Sequence, residues 1–411
     1  MHRRSVLGKT RGILLVATMD TKAKEALYLE SCIRAEGISV FILDAGIRGE
    51  STSLVAISRH EVARAAGKSL AEIQGLGHEG KALEMMTTGA IPCAQHLYRE
   101  GKIRGIIGLG GSMGTTLGTG VMRAFPLGFP KVMISTMASR NTQPFVGTKD
   151  IMMFHSVCDL SGINRITEKV LRNGALALAG MVRKDIIDSI SKKPLVALST
   201  LGTTEACALR VRLALEEKGN EVVTFHTVGS GGAAMEEMVE QGEIEALVDL
   251  SLHEIADHFF GGDYDAGPER GKAAIRQGIP TVLVPGNIDF LATGQLRRAQ
   301  EYFPGRKYHM HNAAITVVRT KRREIESIAM FIAETCSMAQ GPLAILIPLG
   351  GFSAFDSEQG PLHDPEAPHR FAEAMRKEIK EDVDLQTLPY HINDPEFAAS
   401  VVQTLANLMQ K

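Results

Sequence analysis

With 411 residues the chain exceeds what one ordinary hydrophobic core organises, so two domains are expected. Hydrophobic residues at 44% and charged residues at 22% fit a globular protein in water, and a net charge of −2 gives no basic field for nucleic acid or an anionic membrane. Five scattered cysteines without a C-x-x-C pair, and no apolar run near the ~20 residues of a membrane span, argue for reduced thiols in the cytoplasm.

Residues 1–11 read as a basic lead-in. The apolar run 13–18 predicts a strand, with Asp20-Thr21-Lys22 directly after it. A helix over about 24–36 ends at Gly37, and a second strand over 40–43 closes on Asp44. Residues 50–80 are mixed and polar, with weak helical spacing at 62–73. The helix expected at 81–100 contains Pro92, which should kink or split it. Then comes IRGIIGLGGSMGTTLGTGVM (103–122), read as a buried parallel strand, a glycine loop and a helix start. A strand over 131–135 and a long helix over 163–183 follow, with Met85, Met86, Met152 and Met153 as core. A polar linker at 189–194 sets the domain boundary, giving domains 1–190 and 191–411.

The second half restarts with a strand at 195–200 followed by Gly202-Thr203-Thr204. An internal repeat emerges, since Thr18, Gly37 and Asp44 recur as Thr200, Gly219 and His226, each 182 residues further on. This reads as duplication of a βαβ unit, although any two Rossmann-like halves would partly mimic it. Strands over 221–227, 246–250, 281–284, 343–347 and 383–388 alternate with helices over 233–241, 253–260, 270–277, 369–381 and 394–409. The fold class expected is α/β, with two Rossmann-like subdomains, mainly parallel sheets and a ligand cleft between them.

Ligands of open parallel sheets bind beyond the carboxyl ends of the strands, where the polar clusters fall. Gly110-Gly111-Ser112-Met113-Gly114-Thr115-Thr116 would point backbone N–H groups and a helix N-terminus at an anion, most often a phosphate, with hydroxyls beside it. The alternative is a tight βα turn packed for steric reasons. Thr18, Asp20, Thr21 and Lys22 would add a cation for phosphate and a carboxylate for a magnesium water or a ribose; the alternative is a helix N-cap. Gly8-Lys9-Thr10 lacks the upstream glycine of a P-loop.

In the second half Gly229-Ser230-Gly231-Gly232-Ala233-Ala234 fits G-x-G-x-x-[GA], and Asp249 closes the next strand near the usual place of a ribose-binding acid. His253, Glu254, Asp257 and His258 lie at helical spacing, followed by Asp263, Asp265, Arg270, His309 and His311. They would make a metal or acid–base centre, the alternative being solvated carboxylates and core histidines. Asn287 and Asp289, after the strand at 281–284, are candidates of the same class. The segment HINDP (391–395) reads as a turn and N-cap.

The blocks VATMDTKAKE, GLGGSMGTTLGTGVMRAFPLGFPKVMISTMAS, FVGTKDIMMFHSVCDLSGIN, TFHTVGSGGAAMEEM, FGGDYDAGPERGKAA, VPGNIDF, HNAAITVVRT and HINDPEFA resemble the ATP-binding family of the tomato mosaic virus resistance protein, through nearly the whole chain. The resemblance implies two α/β subdomains, ATP with Mg2+ in the first, and a homodimer. In the plant member the domain inhibits viral RNA replication by binding the viral replicase. Carried over to this sequence, ATP would touch Thr18, Asp20, Thr21, Lys22, Gly110, Gly111, Ser112, Thr115, Thr116 and Ser135, Thr136 and Met137. Asp150 and Asp159 would stand on the magnesium side. The expectation is an ATP-dependent enzyme of phosphoryl or adenylyl transfer, with His253, Glu254, Asp265, Arg270 and His311 catalytic. A small-molecule substrate would lie on Gly231, Gly232, Asn287 and Asp289. The alternatives are a nucleotide-gated protein-binding module without turnover, and an NAD- or UDP-sugar-type enzyme using the second glycine loop.

Overall fold

A computed structural model describes residues 11–49, 53–183, 193–380 and 383–410. The basic lead-in and most of the expected 189–194 linker lie outside the described residues. The chain divides into two compact units, Met1–Asp188 and Ser189–Lys411.

Unit 1 contains β1 (Gly12–Ala17), α1 (Ala23–Ala35), β2 (Val40–Asp44), α2 (Arg59–Ala65), α3 (Leu70–Gln74) and α4 (Glu79–Arg99). It continues through β3 (Ile103–Gly110), α5 (Ser112–Arg123), β4 (Lys131–Ser135), α6 (Gln143–Val146), β5 (Met152–His155) and α7 (Thr167–Val182). All five strands pair in parallel, in the order β2-β1-β3-β4-β5. Alternation along β1 sends Leu14 and Val16 to one face, with α4 and α5, and Ile13 and Leu15 to the other, with α1 and α7. Both faces are therefore covered, which is why the central strands are apolar throughout.

Pro92 neither kinks α4 into two elements nor ends it. Pro92 and Thr88, whose carbonyl loses its partner, both lie on the solvent face. Water can satisfy that carbonyl while Met86, Ala90, Ala94 and Leu97 keep the buried face continuous. Met86 is core, whereas Met152 is exposed because β5 is an edge strand, an element absent from the sequence reading.

Unit 2 contains β6 (Leu195–Thr200), α8 (Glu205–Glu217), β7 (Glu221–His226), α9 (Ser230–Glu240), β8 (Ala246–Asp249), α10 (His253–Phe260), α11 (Ala273–Gln277) and β9 (Thr281–Leu283). After these come β10 (Phe290–Thr293), α12 (Leu296–Tyr302), β11 (Tyr308–Met310), β12 (Thr316–Arg319), α13 (Arg322–Cys336), β13 (Leu343–Pro348), α14 (Ala367–Glu378), β14 (Asp384–Leu388) and α15 (Pro395–Leu408). The main sheet is again parallel, in the order β7-β6-β8-β9-β13-β14. The two sheets thus share one order over their first strands. Helices α1 and α8 occupy repeat-equivalent residues, and each is followed by a glycine at positive φ, Gly37 at 76° and Gly219 at 93°.

A second sheet in unit 2 is antiparallel, β10-β12-β11, and the sequence reading does not contain it. Its strands have only three or four residues, too short for an alternation pattern to register. The pairing puts Phe290, Ala292, His309, Val317 and Arg319 on one face, while Leu291 and Val318 enter the core on the other. Among the described residues no helix is long and apolar enough to cross a membrane.

Candidate functional site

In a sheet of order 2-1-3-4-5 the crevice opens beyond the carboxyl ends of strands 1 and 3, where the chain leaves toward opposite faces. Unit 1 has a cavity of about 230 Å³ there. Thr18, Asp20, Thr21 and Lys22 after β1 form one wall, and Gly110, Gly111, Ser112, Met113 and Gly114 form another. Gly111 is the N-cap of α5 and carries no side chain, so the first-turn N–H groups have no side-chain cap. Ile47, Leu83 and Met113 make an apolar patch, while Arg48 and Glu79, an ion pair at the rim, are lining residues the sequence reading missed.

The cavity walls are held by a clamp at the end of β2. Asp44 is buried; its Oδ1 accepts from the N–H groups of Met19 (3.0 Å) and Gly46 (2.9 Å), and Oδ2 accepts from Arg59 Nε (2.9 Å). Arg59 in turn donates to the carbonyls of Arg48 and Gly49 at 2.9 and 3.1 Å. One carboxylate therefore ties the loops after β1 and β2 together. Asp20 Oδ2 accepts from Arg48 N–H at 2.6 Å, while its Oδ1 is buried without a partner. Lys22 Nζ donates to the Leu160 carbonyl, which leaves two ammonium N–H groups uncommitted by that bond.

Several expected contacts fall elsewhere. Thr115 and Ser135 are fully buried and bond each other at 2.6 Å; Thr115 also donates to the Gly111 carbonyl, and Ser135 Oγ accepts from Met137 N–H. Their hydroxyls brace the loop from beneath. Thr116 donates to the Ser112 carbonyl, and neither it nor Thr136 or Met137 lines the cavity.

Asp150 precedes β5 and pairs with Lys131, the first residue of β4, at 2.7 Å, and accepts from Gly128 N–H. It stands on the amino edge of the sheet, opposite the cavity, so its assignment to magnesium is withdrawn. Asp159 is exposed on the carboxyl edge, next to the Leu160 carbonyl that holds Lys22. Among the described residues no three His, Cys, Asp or Glu side chains gather as a metal-binding group.

Unit 2 overturns more. Arg270 is buried and uses all five donors: Asp249 receives two bonds (2.6 and 2.7 Å), and Glu254 (2.7 Å), Glu236 (3.2 Å) and the Ser251 carbonyl (3.0 Å) take the rest. Burial pushes Glu236 and Glu254 up from the usual carboxylate range while Arg270 pulls them down. Burial also works against the charge of Arg270, but Asp249, Glu254 and Glu236 outweigh it and raise its pKa.

Glu254 Oε1 accepts from the N–H groups of both Gly229 and Gly232, at 2.6 and 3.0 Å. The second glycine loop is an anion cradle filled by the chain's own carboxylate. A Cβ on Gly232 would lie 1.7 Å from Glu254 Oε2, and one on Gly231 1.9 Å from the His226 carbonyl. Gly231 and Gly232 therefore meet protein, Asp249 is committed to Arg270, and the dinucleotide reading of this loop fails.

His253 is fully buried, bonded to the Asn287 carbonyl at 2.9 Å and set against the Phe290 ring. Its Nε2 lies 3.3 Å from Asp257 Oδ2, near enough for charge pairing but off the line of a hydrogen bond. Burial lowers its pKa, but Asp257, the Asn287 carbonyl and Glu254 together outweigh burial, so the net direction is up. Asp265 is exposed and pairs with His258 at 2.9 Å. Asn287, at φ 61°, accepts from Thr204 Oγ1 and donates to Thr203 Oγ1, pinning the turn after β6. Asp289 is buried beside Asp356 and Arg319 and accepts from Ser353 Oγ at 2.7 Å. These are framework contacts, so catalytic roles for His253, Glu254 and Arg270, and substrate roles for Asn287 and Asp289, have no exposed group to carry them. Of the five expected catalytic residues, His311 lines a cavity of unit 2.

Comparison with known proteins agrees with the division into two units. The family models described as the N-terminal and C-terminal domains of Uncharacterised protein family (UPF0261) match residues 11–186 and 193–409. A UPF0261 protein of Clostridium tetani is 37% identical over 400 residues, covering 97% of this chain and 99% of that protein. One from Rhizobium meliloti is 34% identical, covering 95% and 97%. The ToMV resistance protein Tm-1(GCR237) of Solanum lycopersicum is 32% identical over 97% of this chain, which corresponds to 56% of that longer protein. The chain belongs to the UPF0261 family.

Proposed function

We propose that unit 1 binds ATP with magnesium in the cavity beyond β1 and β3. The observation that carries this reading is the uncapped first turn of α5 facing the same space as Lys22. Backbone N–H groups at a helix N-terminus and an ammonium are what a triphosphate needs. Thr18, Thr21 and Ser112 offer hydroxyls to the phosphates, and Ile47, Leu83 and Met113 an apolar wall for the base. Asp20, whose Oδ1 has no partner, is the group that would meet a magnesium-bound water. Magnesium would supply charge neutralisation along the phosphates.

Burial of His253, Glu254 and Arg270 in the framework of unit 2 favours a second element of the reading, nucleotide binding without obligatory turnover. An enzyme of phosphoryl or adenylyl transfer would have to position its acceptor with other groups. The test is calorimetric titration of the full chain with ATP, ADP, NAD and a UDP-sugar in magnesium, with phosphate release followed in parallel. ATP should bind in the micromolar range, and Lys22→Ala should weaken it about tenfold or more, the scale of one charge-assisted contact. Unchanged affinity in Lys22→Ala, or no ATP binding by the parent chain, would remove the site. Phosphate release separates turnover from gating.

A further inference from the structure

The internal repeat gives unit 2 a crevice at the same place as that of unit 1. The 182-residue offset sets Leu201, Gly202 and Thr203 after β6 where Met19, Asp20 and Thr21 follow β1, and His226 at the end of β7 where Asp44 ends β2. A cavity of about 230 Å³ lies there, within unit 2 alone. Its chemistry is unlike its counterpart's. Asp20 and Lys22 are replaced by Gly202 and Thr204, so the cation and the carboxylate are gone. The second wall is the antiparallel sheet, whose paired residues Phe290, Ala292 and Val317 face inward, and Phe355 packs edge-on against Phe290 at 5.3 Å. Among the described residues no Asp, Glu, Lys or Arg lines this cavity.

The polar side chains among the lining residues are the imidazoles of His226 and His311, both exposed, and the hydroxyls of Thr203 and Tyr264. Thr203 Oγ1 accepts from Asn287 Nδ2, so its own O–H is left to donate elsewhere. We propose that this cavity binds a small carboxylic acid with an aromatic or similarly apolar body, its ring against Phe290 and Phe355 and its carboxylate toward His226, His311 and Thr203. An ammonium would find no counter-charge, and a sugar or phosphate would leave its polar groups unpaired against the apolar walls. An apolar cavity of about 150 Å³ holds benzene, so the space here takes such a ring and a short acid arm. The proposal does not depend on nucleotide binding in unit 1, and its test contains no nucleotide.

Titration calorimetry of the full chain with 3-phenylpropionate, phenethylamine, benzyl alcohol and acetate decides it. Phenylpropionate should bind with a dissociation constant below about 1 mM, and about tenfold or more tighter than the other three. Ala292→Leu, which fills the cavity, should abolish that binding. His226→Gln with His311→Gln should weaken it about fivefold at unchanged melting temperature. Should Ala292→Leu fail to fold, Val228→Phe, at the half-buried mouth, fills the same space. No binding of phenylpropionate, equal binding of the amine or the alcohol, or full binding by a folded cavity-filled variant would each overturn the proposal.

Discussion

Replacing Arg270 with lysine keeps the positive charge of the buried hub in unit 2 and removes its shape. The guanidinium spans Asp249, Glu254, Glu236 and the Ser251 carbonyl with five donors in a fixed plane. An ammonium carries three donors on one atom and cannot reach Asp249 and Glu254 on different edges of that fork. At least two charge-assisted bonds are lost, and at about 1.5–3 kcal/mol each the variant should be destabilised by roughly 3–6 kcal/mol. For a unit of this size each kcal/mol moves the melting temperature by about 2–4 °C, so a drop of roughly 6–24 °C is expected. Guanidinium chloride unfolding followed by circular dichroism, with a calorimetric scan, measures it. A loss under about 1 kcal/mol would refute the structural account and return Arg270 to the list of ligand-contacting residues.

Asp289 makes stability depend on pH. Burial and the neighbouring Asp356 raise its carboxyl to about 7, whereas the unfolded chain releases that proton near 3.9. The folded state therefore binds more protons between these values, and stability falls as pH rises from about 4 to 7, by at most about 1.4 kcal/mol per unit, then levels off. Asp289→Asn should flatten the urea midpoint between pH 5 and 8, and an unchanged slope would assign it to another group. Asp150→Ala should cost about 1–3 kcal/mol, because it leaves the buried Lys131 ammonium with only the Pro126 and Phe129 carbonyls. Affinity for ATP with magnesium should be untouched; a fall in the magnesium dependence would put Asp150 back at the site.

The parallel α/β framework was legible because each central strand is an apolar run followed by polar residues and a helical period, the pattern that a doubly covered sheet imposes. The repeat was legible from Thr18, Gly37 and Asp44 for the same reason: strand end, helix stop and second strand end are each set by local chemistry. What escaped depended on pairing. Nothing local in Phe290–Thr293 or Tyr308–Met310 marks a strand; they become a sheet only when β12 lies between them. The apolar cavity escaped with that sheet, since its wall is assembled from cross-strand neighbours. Among the site residues, those beside the glycine loop after β3 could be grouped from the sequence because they follow adjacent strand ends. The Asp44–Arg59 clamp could not, because nothing in the sequence says which cation a buried aspartate will find. His253, Glu254 and Arg270 look alike whether they serve a substrate or one another, and burial alone separates those cases.

The carboxylate of Glu254 in the second glycine loop changes what such a loop records. Two N–H groups aimed at one point need an anion, and the sequence pattern is the same whether that anion arrives from solution or is tethered to the next helix. Here it is tethered, so the motif works as a covalent self-complement, an internal plug that locks α9 to α10. The identity of one distant position, 254, then decides whether the loop is a receptor or a joint. In any relative that lacks an acid there, the same glycines would stand open to an external anion.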